Sequence, residues 1–144
     1  MNFKKYLQPV RHTDFGNFAL LLLRLSMGIA FVLHGSGKIQ SPFSWMPLSA
    51  PVPAFLQLLA AVAEFGGGIA LILGLLVPLA SIGLICTMGV AVSMHAFVLH
   101  DPYVNMTGGS SFEPALGYLV LAILFLAMGP GKYSLDRKIF GERA

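Results

Sequence analysis

Apolar residues run through this chain in four blocks, 18–34, 55–77, 79–99 and 112–129, separated by short segments rich in Pro, Gly and Ser. Each block reaches or approaches the roughly 20 residues a helix needs to cross hydrocarbon. The fourth is the weakest, because Pro114 and Gly117 interrupt its start. Backbone polar groups cannot be left unpaired in lipid, so apolar runs of this length read as helices. The pattern predicts an all-α protein, a four-helix transmembrane bundle.

Composition supports this picture. Of 144 residues, 56% are hydrophobic and only 10% are charged, where a soluble domain carries about 25% charged residues. The length allows one domain over 1–144, with 1–17 and 130–144 as tails and no room for a soluble catalytic unit. No nucleic-acid partner is expected. The first apolar run is long and contains Arg24, so it is expected to stay as a span rather than leave as a signal peptide.

Charge placement gives an orientation. Lys4, Lys5 and Arg11 precede the first run, and Lys132, Arg137, Lys138 and Arg143 follow the fourth. Between them the only basic Lys or Arg outside the runs is Lys38. Cationic residues stay on the cytoplasmic side, so both termini are expected in the cytoplasm of a multi-pass cell (inner) membrane protein. The segment 35–54, with Phe43, Trp45 and four prolines, and the Gly- and Ser-rich segment 100–111 then form outer loops. The near absence of a connection at Val77-Pro78 makes the second and third spans an antiparallel hairpin.

Small residues set the expected packing, because close approach in lipid depends on them. The second run carries Gly66-x-x-x-Ala70-x-x-x-Gly74 and Ala60-x-x-x-Glu64-x-x-x-Gly68, and the third carries Gly83-x-x-x-Thr87-x-x-x-Ala91-x-x-x-His95. These stripes predict helix contacts and carry Glu64 and His95 inward.

Two charges lie inside the apolar runs, Arg24 and Glu64. A charge at bilayer depth costs at least about 2.5–3.5 kcal/mol, so each requires a partner or a purpose. Counted at 1.5 Å per residue, Arg24 lies about 15 Å below His34 and Glu64 about 13–14 Å below residue 55. Similar depth predicts an Arg24–Glu64 contact between antiparallel helices. The pair reads as a structural ion pair or as an anchor for a bound headgroup or proton relay. A second polar group gathers at the outer end from His34, Lys38, His95, His100 and Glu113. Its spacing fits no standard zinc motif, and Ser110-x-x-Glu113 matches a capping box. Cys86 is the only cysteine, so one chain cannot run dithiol–disulfide chemistry.

The ordered set Arg24…His34-Gly35-x-x-Lys38, Ala63-Glu64-x-x-Gly67-Gly68…Leu73-Gly74-Leu75, Glu113-x-Ala115-Leu116 and Gly129-Pro130-Gly131-Lys132-Tyr133-Ser134-Leu135-Asp136 resembles the DoxX family. The resemblance runs from about residue 18 to 137. It implies a four-helix membrane protein, with relatives among the membrane subunits of thiosulfate:quinone oxidoreductase and among partners in complexes linking thiol redox balance to oxidative defence. One departure is Val77-Pro78, where the family often has a basic residue.

Carried over by position, Arg24, His34, Lys38, Glu64 and Glu113 are the expected binding residues. The leading reading is a redox-associated subunit that binds a quinone or similar amphiphile between its helices, with Phe31 or Phe65 stacking on the ring. No flavin, haem or iron–sulfur motif is present, so electrons would come from a partner oxidoreductase, soluble or membrane-bound. The chain alone is not expected to be an enzyme. A non-catalytic scaffold and a small-solute carrier, the latter built as a homodimer, remain open beside it. Gly129-Pro130-Gly131 reads as a helix terminator rather than a phosphate loop.

Overall fold

The computed structural model describes residues 8–47 and 52–141; Lys4, Lys5, Pro51 and Arg143 lie outside the described residues. Helix α1, Asp14–Gln40, begins where the Thr13 side chain accepts a hydrogen bond from the Gly16 N–H. Helix α2, Ala54–Leu73, ends at Gly74, whose φ of 66° is left-handed and suits glycine. Helix α3, Val77–Ser93, starts almost at once with Pro78 in its first turn, as proline's missing N–H permits. It continues through one π-helical turn, Met94–Val98. Helix α4 is Glu113–Met128, and Gly129 terminates it. A short helix α5, Leu135–Phe140, closes the described chain.

The protein is therefore all-α. Helices α1, α2 and α3 with its π turn contain 27, 20 and 22 residues, each long and apolar enough to cross a membrane. Helix α4 is equally apolar but has 16 residues. The expected hairpin of the second and third spans is present, with its turn at Gly74–Leu76 rather than at Val77-Pro78.

One face of each helix packs and the other is left greasy. On α1, Leu20, Arg24, Met27 and Phe31 are buried, while Phe15, Phe18, Leu22, Ile29 and Leu33 are exposed at spacings of three, four and seven. This is helical periodicity with an apolar outer stripe. In water such stripes would be a large adhesive patch; against acyl chains they are the expected surface. The core gathers Leu20, Met27 and Phe31 of α1, Leu71 of α2, Val77, Leu84 and Met88 of α3, and Ala122 and Phe125 of α4.

Helices α1 and α2 meet backbone to backbone. A Cβ at Gly28 would stand 2.8 Å from the Gly68 carbonyl oxygen, one at Gly68 2.7 Å from the Val32 nitrogen, and one at Gly35 2.5 Å from the Phe65 nitrogen. The Glu64–Gly68 stripe thus faces a partner helix as predicted. Gly66 does not, since a Cβ there would meet nothing within 4 Å. Gly35→Val should force the helices apart at a cost of about 1–3 kcal/mol, typical of overpacking. Gly66→Val should leave the unfolding midpoint in detergent close to wild type; equal behaviour of the two variants would contradict this packing.

Candidate functional site

The contacts between α1 and α2 fix where their charges lie. Gly28 meets Gly68 and Gly35 meets Phe65, so the helices are antiparallel, and Arg24 is carried to the level of Gly74 rather than Glu64. A Cβ on Gly74 would run into the Arg24 guanidinium. Glu64 is ten residues up α2 from there, about 15 Å away along the axis. The expected Arg24–Glu64 contact does not form. Helix α1 does not end at His34 but continues through Gly35, Ser36 and Gly37 to Gln40, which sets Arg24 deeper than a count from His34 implies.

Glu64 pairs instead with Lys38. The Lys38 ammonium donates to both carboxylate oxygens, at 2.6 and 2.7 Å. Glu64 is 2% exposed, whereas the Lys38 side chain keeps 25% of its surface accessible. The same ammonium sits 4.4 Å from the centroid of the Trp45 ring, a cation–π contact. Trp45 is held in turn by its Nε1–H, which donates to the Gln57 carbonyl. The Gln57 side chain fastens the loop further, accepting from the Met46 N–H and donating to the Val52 carbonyl. An interfacial Trp was expected; its place over Lys38 was not.

One turn below Lys38 on α1 is His34. Its ring packs edge-on to Tyr118 of α4, with centroids 6.1 Å apart, and Tyr118 also packs on Phe31 at 5.0 Å. His34 is exposed and Tyr118 half-buried. Among the described residues, neither the His34 ring nitrogens nor the Tyr118 hydroxyl has a hydrogen-bond partner. Phe31 is buried beneath them. Of the predicted set, Lys38 and Glu64 therefore pair, and His34 lies one turn along α1 against Tyr118, which sequence reasoning missed. Its only signal was a phenol within an apolar helix.

Arg24 belongs to a separate polar centre. Its Nη1 and Nη2 donate to the carbonyls of Pro130 and Tyr133, at 3.1 and 2.7 Å. Its Nε is buried without a partner. Beside it Asp136 is fully buried and accepts from the Leu76 and Val77 N–H groups, at 2.6 and 2.9 Å. The Asp136 N–H donates back to the Gly74 carbonyl. Burial pushes the Asp136 carboxyl above the usual range, while the Val77 and Leu76 N–H groups and Arg24 oppose that rise. Leu76 takes φ 49°, rare for a branched residue, and Asp136 holds it there. The segment after α4, read from sequence as a tail, is thus folded into the end of the bundle.

The remaining polar residues are distributed elsewhere. Glu113 is exposed at the start of α4, and its N–H donates to the Tyr103 carbonyl. The expected capping box is absent: Phe112 occupies the N-cap, and the Ser110 hydroxyl donates to Asp101 Oδ1 at 2.8 Å. His95, on the π turn, contacts the other Asp101 oxygen at 2.7 Å. Those hydrogen bonds hold the Asp101 carboxyl below its usual range, His95 contributing most. Among the described residues no group of three metal-ligating side chains converges. Cys86 is exposed on α3.

Known proteins fit this framework. The DoxX family model matches residues 19–101. The chain is 32% identical to the inner membrane protein YqjF of Escherichia coli K12 over 124 residues, covering 82% of this chain and 89% of that protein. It is 30% identical to the inner membrane protein YphA of the same organism over 146 residues, covering 92% of this chain and all of that protein. An uncharacterized protein of Haemophilus influenzae is 32% identical over 125 residues, covering 85% and 92%. No solved structure gives a significant match. With several apolar helices of membrane length and relatives of this kind, the chain belongs to the DoxX family of integral inner membrane proteins.

Proposed function

We propose that this protein is a redox-associated membrane subunit that holds a quinone, or an amphiphile of similar shape, against His34 and Tyr118. The observation that carries this reading is that the His34 and Tyr118 rings meet edge-on, with Phe31 against Tyr118, while among the described residues neither polar end has a hydrogen-bond partner. A quinone carbonyl would accept a hydrogen bond from the Tyr118 hydroxyl or from the N–H of the His34 ring. The His34 imidazole and the Tyr118 phenol would hydrogen-bond the head, with the Phe31–Tyr118 pair against its ring. Lys38 and Glu64, one turn beyond, would set the local charge and could pass protons. When bound, the quinone would take up two electrons from a partner oxidoreductase and two protons. Both termini face the cytoplasm in this reading, because the basic residues cluster at that end, and the site lies in the outer half of the bilayer.

Trp45, the only tryptophan, reports on the site through its contact with Lys38. A short-chain quinone added to protein in nanodiscs should quench it saturably. His34→Leu should weaken that binding about tenfold, the value of roughly one hydrogen bond to a charged or polar head. Linear, unsaturable quenching that is identical in wild type and variant would eliminate the proposal.

A scaffold role is the second reading, because Glu64 is already paired with Lys38 and Arg24 already donates to two backbone carbonyls within the chain. Co-purification of a soluble redox enzyme, with no retained amphiphile, would favour it.

A further inference from the structure

At the end of the bundle opposite Lys38, a cavity of about 340 Å³ opens between the start of α1 and the segment after α4. Arg11, His12 and Thr13 line it from one side, Lys132 and Arg137 from the other, with Asn17 beneath. Asn17 makes this a built feature. It is 3% exposed, donates to the carbonyls of His12 and Thr13, and accepts from the Lys132 N–H at 2.7 Å. His12 adds a second tie, its Nε2 lying 2.8 Å from the Met128 carbonyl oxygen. Two segments more than a hundred residues apart are thereby fixed as facing walls. Among the described residues Arg11, Lys132 and Arg137 are the cations that line the space, and Asp14, also at its edge, pairs with Lys132.

We propose that this cavity binds a phosphate group, presented by an anionic phospholipid of the adjoining leaflet. Guanidinium groups match the geometry of phosphate oxygens, and basic pockets at the membrane boundary are suited to anionic headgroups. The neighbouring apolar surface favours a lipid over a free ion. Phe15 and Phe18 are 81% and 51% exposed one turn from the cavity, where the acyl chains of a bound lipid would run. The site is distinct from the His34–Tyr118 pair, and either could exist without the other.

The test uses the full chain in nanodiscs of phosphatidylcholine, with and without phosphatidylglycerol, and native mass spectrometry to count retained lipid. Phosphatidylglycerol should be retained in preference, and Arg11→Gln should weaken that retention about fivefold, the worth of one cation at a membrane surface. Arg11 is exposed, so this change should leave folding intact. Asp14→Asn, which frees Lys132, should move retention the opposite way. Inorganic phosphate competing as strongly as the lipid would support the phosphate site but assign it a soluble source. Equal retention of both lipids, or an unchanged preference in Arg11→Gln and Asp14→Asn alike, would overturn the proposal.

Discussion

Asp136→Ala is expected to deplete the protein from the membrane and to lower the unfolding midpoint of the remainder more than any other single side-chain truncation. Asp136 is 0% exposed and accepts two backbone N–H groups at the start of α3. Hydrogen bonds to a charged group are worth about 1.5–3 kcal/mol each. Removing the carboxylate also takes away the negative charge that neighbours the buried Arg24. Total stability is only about 5–15 kcal/mol, so the combined loss consumes much of it. Leu76 would lose the contact that holds its left-handed backbone. Asp136→Asn should fare little better, since an amide nitrogen would then face a backbone N–H. Thermal unfolding in mild detergent checks this, and a wild-type midpoint for Asp136→Ala would show that the clamp does not hold the bundle.

Lys38→Met is expected to be the next most damaging change. It leaves the Glu64 carboxylate, 2% exposed, without either of its hydrogen bonds. The cost should be about 3–5 kcal/mol. The reverse truncation, Glu64→Leu, should cost less, because the Lys38 side chain is already 25% accessible and a flexible ammonium can reach a polar interface. This asymmetry is measurable as different unfolding midpoints for two variants that delete the same ion pair. Equal losses would mean that burial does not set the penalty.

Much of the architecture could be read from the residues. Hydropathy located the four apolar helices, Gly129 marked the end of the fourth, and the Glu64–Gly68 stripe identified the packed face of α2. The ion-pair partners could not be read in the same way. Depth along a helix depends on where the helix ends, and Gly35-Ser36-Gly37 looked like the start of a loop. In the fold these residues continue α1, because Gly35 lets the backbone of α1 touch that of α2 at Phe65. A glycine between lipid-spanning helices is a point of approach as often as a breaker. Six extra residues moved the outer end of α1 by about 9 Å. The rest of the offset comes from α2, which runs further past the Gly35–Phe65 contact than α1 does: eleven residues separate Phe65 from Ala54 and five separate Gly35 from Gln40, so Lys38 rather than Arg24 lies within reach of Glu64.

Asp136 was hidden for a different reason. It lies beyond the last apolar block, where hydropathy carries no information about whether a segment folds back. Only the three-dimensional return of 130–136 under Arg24 and the Gly74 turn reveals it as a buried anchor. Tyr118 escaped notice because its apolar ring reads as one more hydrophobic residue. Of the predicted site, Lys38 and Glu64 form one pair, His34 meets Tyr118 one turn away, Arg24 serves another centre, and Glu113 stands apart at the start of α4.

That division between two polar centres can be measured as a coupling energy. A double-mutant cycle of Lys38→Met with Glu64→Leu, read as unfolding free energy in one detergent, should give a coupling of about 2–3 kcal/mol, with the double variant more stable than Lys38→Met alone. The parallel cycle of Arg24→Leu with Glu64→Leu should be additive to within about 0.5 kcal/mol. Strong coupling between Arg24 and Glu64, with none between Lys38 and Glu64, would contradict the account.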